Sequence, residues 1–394
     1  MTDGYSLARI IDPFGVDVFY REHWERKPLL IKRALPEYFS NLVSWSVIDH
    51  AVTTLGLSHP EVSMYNALRE VRAEKYTLSS GLVDVVRLYK EYAEGSTIIM
   101  QELSARHAPL ADLCRALECE MTHKFQTNVY TTPESAQGFK AHFDSHDVFV
   151  LQVTGSKHWL IYDTPVQLPY RGQKFRPEQN KPGDVTMDFV LNAGDSLYIP
   201  RGVMHDARTT HEGSIHVTLG ALTTSWTDVL LEAIAIVGLN DPDFRKALPP
   251  GYATQGFDFS DAEKFFRELL RRAVEKAALR PAMDQFIQEF RMTRYPNLWG
   301  QMTQIDRAKR LTPETCFTVR PILVMNTTET NEHFIVACYG NEVRLPKHAA
   351  EPAKAALSGQ TMRIRELPGT LDLEGRIVLI RRLVHEGLVE ILER

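Results

Sequence analysis

The sequence is poor in cysteine, and its four cysteines form no CxxC pair. This spacing argues against a thiolate zinc site and against a disulfide framework. No apolar run is long enough to cross a bilayer, and the opening MTDGYSLARIIDPFG lacks the basic and then apolar order of a signal peptide. We expect a soluble chain in a reducing, cytoplasmic compartment, without a membrane partner.

An excess of one charge is also missing, since 45 Lys and Arg residues face 50 Asp and Glu residues, for a net charge of −5. Such a balance argues against nonspecific nucleic-acid binding by the whole surface, and we expect no direct nucleic-acid partner. Repeats and low-complexity segments are lacking too. A length of 394 residues suits two or three domains of ordinary size.

Short apolar runs, broken by Gly, Pro and Asp, fill the chain from about residue 20 to residue 224. Many short strands with close turns are typical of a sandwich or barrel. Helical patches such as SWSVIDHAV interrupt them. The predicted strands are PLLIKR, STIIMQ, FQTNVYTT, HDVFVLQV, KHWLIYD, DSLYIP and SIHVTLGAL.

The texture turns helical from Trp226 to about Leu298, and Ser225 is a candidate N-cap for the first helix. One apolar stripe recurs at helical spacing in FFRELLRRAVEKAA. Such a stripe is ordinarily a core face, which is our prediction, and a dimer seam is the alternative. Its members are Phe265, Phe266, Leu269, Leu270 and Ala273.

A mixed α+β pattern follows from about Gly300. EHFIVACYG and NEVRLP are typical of strands, HAAEPAKAALSG and LEGRIVLIRRLVHEG of helices, and LVEIL of a closing strand. The order helix, helix, short strand indicates a winged-helix-like domain. The tail is nearly neutral, so we expect Arg376, Arg381 and Arg382 to form a solvated helix face rather than a DNA-reading surface.

Potential metal ligands are concentrated in AHFDSHDVFVLQV. Because side chains alternate along an extended chain, His142 and Asp144 point the same way. A second histidine, His205, ends GDSLYIPRGVMH, after a strand that stops at Pro200 and a bend that Gly202 permits. Two histidines and one carboxylate form the facial triad that holds Fe(II) and leaves positions open.

The strength of this pattern lies in its combination. HxD alone recurs by chance, but GDxxxxPxGxxH with its histidine 61 positions after Asp144 is hard to obtain by accident. We interpret the remaining histidines as structural or surface residues, and Asp147 as a cap or buttress of a turn. Those histidines are His146, His158, His211 and His216.

Over nearly the whole chain, these stretches resemble the JmjC-type ribosomal oxygenases of the cupin superfamily. WERKPLLIKR resembles the family's entry strand, NVYTTPESAQGFKAHFDSHDVFVLQVTGSKHWLIYD its central signature, and GDSLYIPRGVMHDA with SIHVTLGALTTSWTDVL its second half. The resemblance implies a mixed fold. A double-stranded β-helix (JmjC/cupin) core with an N-terminal helical and strand extension occupies 1–225, an all-α dimerisation region 226–299 and an α+β winged-helix-like domain 300–394.

The resemblance also implies Fe(II) as cofactor and 2-oxoglutarate as co-substrate, with His142, Asp144 and His205 as the iron ligands. Lys157 falls where the family keeps a cation for the distal carboxylate of 2-oxoglutarate. A dianion held inside a barrel needs a fixed positive partner, because a buried unpaired charge is costly.

Three further residues carry over from the resemblance. Thr218 matches a residue that supports the co-substrate, and Asn128 and Tyr130 match residues that line the co-substrate and the target side chain. Two positions depart from relatives: the bacterial arginine hydroxylase carries Arg at position 157, and the human histidine hydroxylases carry a target-orienting serine at position 220, which is Gly220 here.

The function implied is that of an oxygenase that hydroxylates a side chain of a protein, namely an Arg or His residue of a ribosomal protein, and that works as a homodimer. A JmjC-type demethylase and a peptide-tailoring hydroxylase are the alternative enzymes. A non-catalytic metal-binding cupin scaffold is the alternative from a different class.

Overall fold

A computed structural model describes residues 5–392 and divides the chain into two compact units, one ending at Thr223 and the other beginning at Thr224. The strands of the first unit are β1 (Leu29–Ile31), β2 (Val62–Tyr65), β3 (Thr97–Gln101), β4 (Lys124–Thr132), β5 (Asp147–Thr154), β6 (Ser156–Tyr162), β7 (Val185–Asn192), β8 (Ser196–Ile199), β9 (His205–Thr209) and β10 (Ser214–Leu222). Its α-helices are α1 (Leu7–Ile11), α2 (Val16–Glu22), α3 (Trp45–Thr54), α4 (Val85–Ala93) and α5 (Ala108–Met121).

Two sheets build the first unit. The larger has the order β1-β8-β5-β10-β4-β3-β2, and the smaller has the order β7-β6-β9. All seven strands predicted from sequence are present, whereas β2, β7 and β9 were not predicted. Apolar side chains of both sheets, among them Val150, Trp159 and Leu197, share one core cluster. The sheets therefore face each other, as the predicted cupin core requires.

The opposite face of the large sheet packs against the helices. On β4, Phe125 and Val129 are buried in a cluster that also contains Leu113 of α5, whereas Tyr130 belongs to the other face. Strand β5 is buried along nearly its whole length because helices cover one face and the small sheet covers the other. This explains why HDVFVLQV is continuously apolar rather than alternating.

The second unit is a helical region followed by an α+β region. Its α-helices are α6 (Trp226–Asn240), α7 (Ser260–Lys276), α8 (Leu279–Met292), α9 (Gln301–Arg307), α10 (Ala350–Ala356) and α11 (Leu373–His385). Its strands are β11 (Cys316–Val319), β12 (Met325–Glu329), β13 (His333–Cys338), β14 (Asn341–Pro346), β15 (Met362–Arg363) and β16 (Val389–Ile391), which form the sheets β15-β11-β16 and β12-β13-β14.

Two sequence expectations meet different outcomes in this unit. Ser225 does cap α6, since its hydroxyl accepts the Asp228 N–H and the Asp228 carboxylate accepts the Ser225 N–H. The apolar stripe of α7 is not a core face, because Phe265, Phe266 and Leu270 are exposed and Ala273 alone of the stripe is buried. Across residues 5–392, none of the helices has the length and apolar character needed to span a bilayer.

Candidate metal centre and its cavity

His142, Asp144 and His205 meet in a cavity that side chains of both sheets line. Each offers a ligand atom, and these atoms all lie within 4.8 Å of one another. The Asp144 Oδ2 atom is 3.7 Å from His205 Nε2, and the two imidazole ring centres are 4.7 Å apart. One carboxylate and two imidazoles gathered in this way match the donor set that holds Fe(II) on one face.

Both imidazoles are oriented by backbone carbonyls. His142 Nδ1 donates to the Lys140 carbonyl at 2.9 Å, and His205 Nδ1 donates to the Val203 carbonyl at 3.0 Å. A carbonyl only accepts, so the proton lies on Nδ1 and the lone pair on Nε2. Each ring thus presents Nε2 as a ligand atom, which is the orienting arrangement that metal-binding histidines usually have.

Backbone hydrogen bonds hold the two ligand-bearing segments together. His142 and His205 exchange both of their backbone bonds, at 3.0 and 2.8 Å, and Gly202 N–H donates to the Asp144 carbonyl at 2.9 Å. Gly202 has a φ of +89°, and a Cβ there would lie 2.1 Å from the Val166 carbonyl oxygen. Only glycine fits this bend, which returns the chain to place His205 beside Asp144.

The electrostatics of the three side chains suit metal binding. Burial lowers the pKa of His205 to about 4, with the neighbouring His142 acting in the same direction, so its imidazole is neutral near pH 7. Burial alone would raise the pKa of Asp144, but the His142, His146 and His205 imidazoles together hold it below its ordinary value. The carboxylate is therefore an anion, as ligation requires.

A buried lysine lies in the same cavity. The Lys157 side chain on β6 is 4% exposed, and its ammonium donates to Thr132 Oγ1 on β4 at 2.9 Å. Burial lowers the pKa of Lys157 to about 7. β5 and β6 are consecutive in sequence but lie in different sheets, so Lys157 reaches across the barrel interior rather than along it.

The other predicted site residues differ in whether they line the cavity. Tyr130 and Thr218 line the cavity, whereas Asn128 is not among the lining residues and instead accepts a hydrogen bond from Glu102 N–H at 3.4 Å. Burial raises the pKa of the Tyr130 hydroxyl, which keeps it a neutral hydrogen-bond donor. Tyr130 stacks on His216, with ring centres 4.6 Å apart and planes within 7°.

Sequence reasoning missed His216 as a cavity residue. Its ring is 4% exposed and lines the cavity together with Trp159. The strand period was the available signal, because His216 lies two residues before Thr218 and Trp159 two residues after Lys157. Within the described chain, His216 Nδ1 and Trp159 Nε1 are buried without a hydrogen-bond partner. Unmet polar atoms beside a buried ammonium fit a cavity that receives a polar, anionic molecule.

Asp147 is more than a turn buttress. Its carboxylate is fully buried, accepts the Tyr198 hydroxyl at 2.7 Å and pairs with Arg201 at 2.6 Å. Asp147 follows Asp144 by three positions and Arg201 precedes His205 by four. This ion pair thus joins the two segments that carry the triad.

Of the remaining histidines, His158 pairs with Asp188 at 2.6 Å, and His211 is exposed.

Comparison with known proteins agrees with this site. A sequence profile described as a JmjC domain matches residues 100–229, a range that contains the whole triad and Lys157. The chain is 28% identical over 348 residues to ribosomal oxygenase 1 of Danio rerio, which covers 78% of this chain and 62% of that protein. The chain belongs to the JmjC-domain ribosomal oxygenase family.

A second curated relative and a solved structure extend the comparison. The bifunctional lysine-specific demethylase and histidyl-hydroxylase NO66 of Aedes aegypti is 30% identical over 317 residues, covering 76% of this chain and 50% of that protein. The chain thus spans 50% and 62% of the two curated relatives. The ribosomal oxygenase YcfD of Escherichia coli, solved with cobalt and 2-oxoglutarate, shares the fold with a TM-score of 0.51 and 16% identity, over 97% of this chain and 99% of that one.

Proposed function

We propose that this chain is an Fe(II)- and 2-oxoglutarate-dependent oxygenase that hydroxylates a protein side chain, with an Arg or His residue of a ribosomal protein as the target. The observation that carries the proposal is a single cavity that contains both the His142, Asp144 and His205 triad and the buried Lys157 ammonium. A metal-binding scaffold has no need of both features. An oxygenase that uses a dianionic co-substrate needs each of them.

The three ligand side chains would hold Fe(II) and leave its remaining positions facing the cavity. With iron and 2-oxoglutarate bound, the site would activate O₂: one oxygen atom would enter the target C–H bond as a hydroxyl group, and the other would enter succinate, which forms together with CO₂. The work of the protein is to hold the metal on neutral imidazoles and one carboxylate, to orient the co-substrate, and to place the target carbon close by.

Lys157 would pair with the distal carboxylate of 2-oxoglutarate, and Thr132 holds the ammonium in place for it. Thr218 and Tyr130 lie along the same cavity and would contact the co-substrate between the triad and Lys157. Asn128 would act through Tyr130, because its side chain forms a hydrogen bond with the Tyr130 hydroxyl. A charge-assisted hydrogen bond in a low-dielectric cavity is worth much more than the same bond in water.

An anaerobic titration of the apoprotein with Fe(II), and then with 2-oxoglutarate, tests this proposal. We expect a visible charge-transfer band from the chelate, lost in His142→Ala. His158→Ala is the matched control, because this histidine pairs with Asp188 on β7 and does not line the cavity. Iron binding without the band would reject the 2-oxoglutarate assignment, and retention of the band in His142→Ala would reject the triad.

Demethylation is the second candidate reaction, and the printed name of the Aedes aegypti relative favours it, since that protein is described as both a lysine-specific demethylase and a histidyl-hydroxylase. Hydroxylation of an N-methyl carbon releases formaldehyde, whereas hydroxylation of a side-chain carbon gives a stable product. A formaldehyde assay on methylated and unmethylated peptides distinguishes the two reactions.

The partner surface proposed for a second copy of this chain is the helical region. Apolar side chains of α6 and α7 are exposed over two neighbouring helices, and exposed patches of this kind mark interfaces. The most exposed members are Val274, Leu239, Trp226, Leu230, Phe266 and Leu231. We therefore assign the α7 stripe to a homodimer interface, and light scattering of the full chain tests this assignment.

The proposal also covers the C-terminal α+β region and the cellular compartment of the protein. We assign β11, β15 and β16 with α10 and α11 to a winged-helix-like domain, supported by the three-stranded sheet β15-β11-β16. We assign the protein to the cytoplasm, where reducing conditions suit its free thiols Cys114, Cys119, Cys316 and Cys338.

A further inference from the structure

The loop between β6 and β7, residues 163–184, carries a concentration of positive charge. Between its flanking residues Asp163 and Asp184, the loop has four cationic side chains and one acidic side chain, Glu178. The four cations are all exposed, and within residues 5–392 none of them forms an ion pair. They are Arg171, Lys174, Arg176 and Lys181.

Two contacts fix this basic loop beside the metal centre. The Phe175 ring lies edge-on to the Phe143 ring, with 5.5 Å between ring centres, and 6.4 Å from the His142 ring. The Val166 carbonyl packs against the Gly202 bend, where a Cβ would lie 2.1 Å from its oxygen. The loop therefore touches both of the segments that carry the triad.

The cations of the loop lie outside the cavity. Lys174 and Arg176 flank Phe175 in sequence, so they stand close to His142. Among the described residues that line the cavity, none comes from the loop. These charges are thus not used by the proposed chemistry, and they remain available to a molecule that lies across the cavity from outside.

We propose that the basic loop binds the phosphodiester backbone of single-stranded RNA, and that the substrate is a protein segment presented next to RNA. The inference rests on the proposed function, because a ribosomal-protein target lies beside RNA in its own assembly. The triad then determines the reaction, and the loop determines the form in which the target protein is bound.

The chemistry of the loop favours RNA over an acidic protein segment. Arginine and lysine are the side chains that most often contact phosphate oxygens, and cations without an ion pair need break none to do so. Tyr170, next to Arg171, is 44% exposed. An exposed aromatic ring among cations offers a stacking surface for an unpaired base, and a run of carboxylates would leave that surface unused.

The net charge of −5 for the whole chain does not cancel this local field. That balance argued against nucleic-acid binding by the whole surface, and we expected no direct nucleic-acid partner from it. At physiological ionic strength, however, charges are screened over about 8 Å. The acidic side chains of distant surfaces therefore have little effect on a phosphate at the loop.

Fluorescence anisotropy tests the proposal with a labelled, mixed-sequence single-stranded RNA of about 12 nucleotides. The full chain is titrated into this RNA at several salt concentrations, without iron or 2-oxoglutarate. The test variant combines Arg171→Gln, Lys174→Gln and Arg176→Gln. Each lost phosphate contact should weaken binding about fivefold at about 0.1 M salt, so this variant should bind about a hundredfold more weakly. The slope of log K against log salt should fall in magnitude by about 2.

A variant that loses the same charge elsewhere in the first unit is the matched control. It combines Lys75→Gln, Lys90→Gln and Arg208→Gln, which are exposed cations outside the loop. This control should leave both the affinity and the salt slope unchanged, and a thermal melt verifies that both variants fold. Photocrosslinking with 4-thiouridine RNA should join the RNA to a peptide from residues 163–184.

Each result either supports or overturns the RNA assignment. Loss of binding in the loop variant, with binding retained in the control, supports it. Absence of RNA binding by the unmodified chain, equal losses in the two variants, or a cross-link outside the loop overturns it. Preferential binding of a poly-glutamate peptide also overturns it and assigns an acidic protein partner to the loop. Since the assay contains no iron or 2-oxoglutarate, its failure leaves the oxygenase function standing, and failure of the Fe(II) titration is scored separately.

Discussion

Replacing Lys157 with methionine should separate the stability of the barrel from its affinity for 2-oxoglutarate. The lysine is 4% exposed, and its ammonium donates a hydrogen bond to Thr132 Oγ1. Methionine has a similar length without the charge. The substitution should therefore make the ligand-free protein more stable and, at the same time, nearly unable to bind its co-substrate.

The stability effect follows from the pKa of Lys157, which burial lowers from 10.5 to about 7. At 1.36 kcal/mol for each tenfold change, this corresponds to an upper limit of about 5 kcal/mol for keeping the amine charged in the fold. Replacement of buried ionic groups by apolar residues of similar volume is often neutral or stabilises by about 1–4 kcal/mol, and we expect a gain in that range. For a domain of this size, each kcal/mol raises Tm by about 2–4 °C.

The sign of the pH dependence is defined. The folded pKa lies below the unfolded value, so the folded chain binds fewer protons and gains stability as the pH rises from about 7 to 10.5. The free-energy cost of keeping the Lys157 ammonium buried is present in full below about pH 7. The stability difference between Lys157→Met and the unmodified chain should thus be largest at pH 6 and should shrink steadily above pH 7.

Binding of 2-oxoglutarate changes in the opposite direction. Without Lys157 the distal carboxylate would be buried unpaired, which costs about 3–5 kcal/mol, or about 10²- to 10⁴-fold in affinity. In the unmodified chain the carboxylate favours the ammonium form, so binding at pH 8 should take up close to one proton. Calorimetric titration of the Mn(II)-loaded chain in two buffers of different ionisation enthalpy measures both quantities.

Lys124→Met is the matched control, because this lysine lies on β4 with an exposed side chain. It should change neither Tm nor the affinity for 2-oxoglutarate. The reasoning is refuted if Lys157→Met binds 2-oxoglutarate with unchanged affinity. It is also refuted if the ligand-free variant unfolds at a lower temperature than the unmodified chain at pH 6.

Three further predictions concern other parts of the molecule. Asp144→Ala should abolish Mn(II) binding and succinate formation while leaving the circular dichroism spectrum intact, because the residue lies at the cavity edge; succinate at the unmodified rate would reject the ligand. Asp147→Asn should lower the free energy of unfolding by about 2 kcal/mol in urea, since it leaves the Arg201 guanidinium with the part-exposed Glu25 carboxylate in place of two partners; a change below about 0.5 kcal/mol would contradict this. Phe266→Glu should convert the expected dimer to a monomer in light scattering, and a monomeric unmodified chain would remove the assigned interface.

Much of the metal centre was predictable because its residues are marked locally. An HxD in an extended segment places two side chains on one side, and a glycine bend after a strand stopped by proline marks the approach of His205. The strands of the large sheet other than β2 were predictable for the same reason, since β-branched and aromatic runs between turn residues depend on neighbours in sequence. Lys157, Thr218, Tyr130 and Asn128 required the family resemblance.

The features that were not predicted correctly from the sequence share a different cause. The α7 stripe has the period of a core face, but period does not state what covers the face, and in this chain Phe266 is exposed. Strand β7 was overlooked because most of VTMDFVLN is exposed or half-exposed, so its apolar pattern is weak. Asp147 gave no local sign of burial, because its partner Arg201 lies 54 positions away.

Local sequence was sufficient to identify the donor atoms, the order of the elements and the bends between them, because these depend on side-chain chemistry and on backbone preferences within a few residues. Only the tertiary structure placed Lys157 across the cavity from the strands of the larger sheet and stacked His216 on Tyr130. Each of these contacts joins strands paired or facing over long stretches of chain, such as β4 with β10. Which strands meet is decided by the burial of the whole barrel interior, and no short segment contains that information.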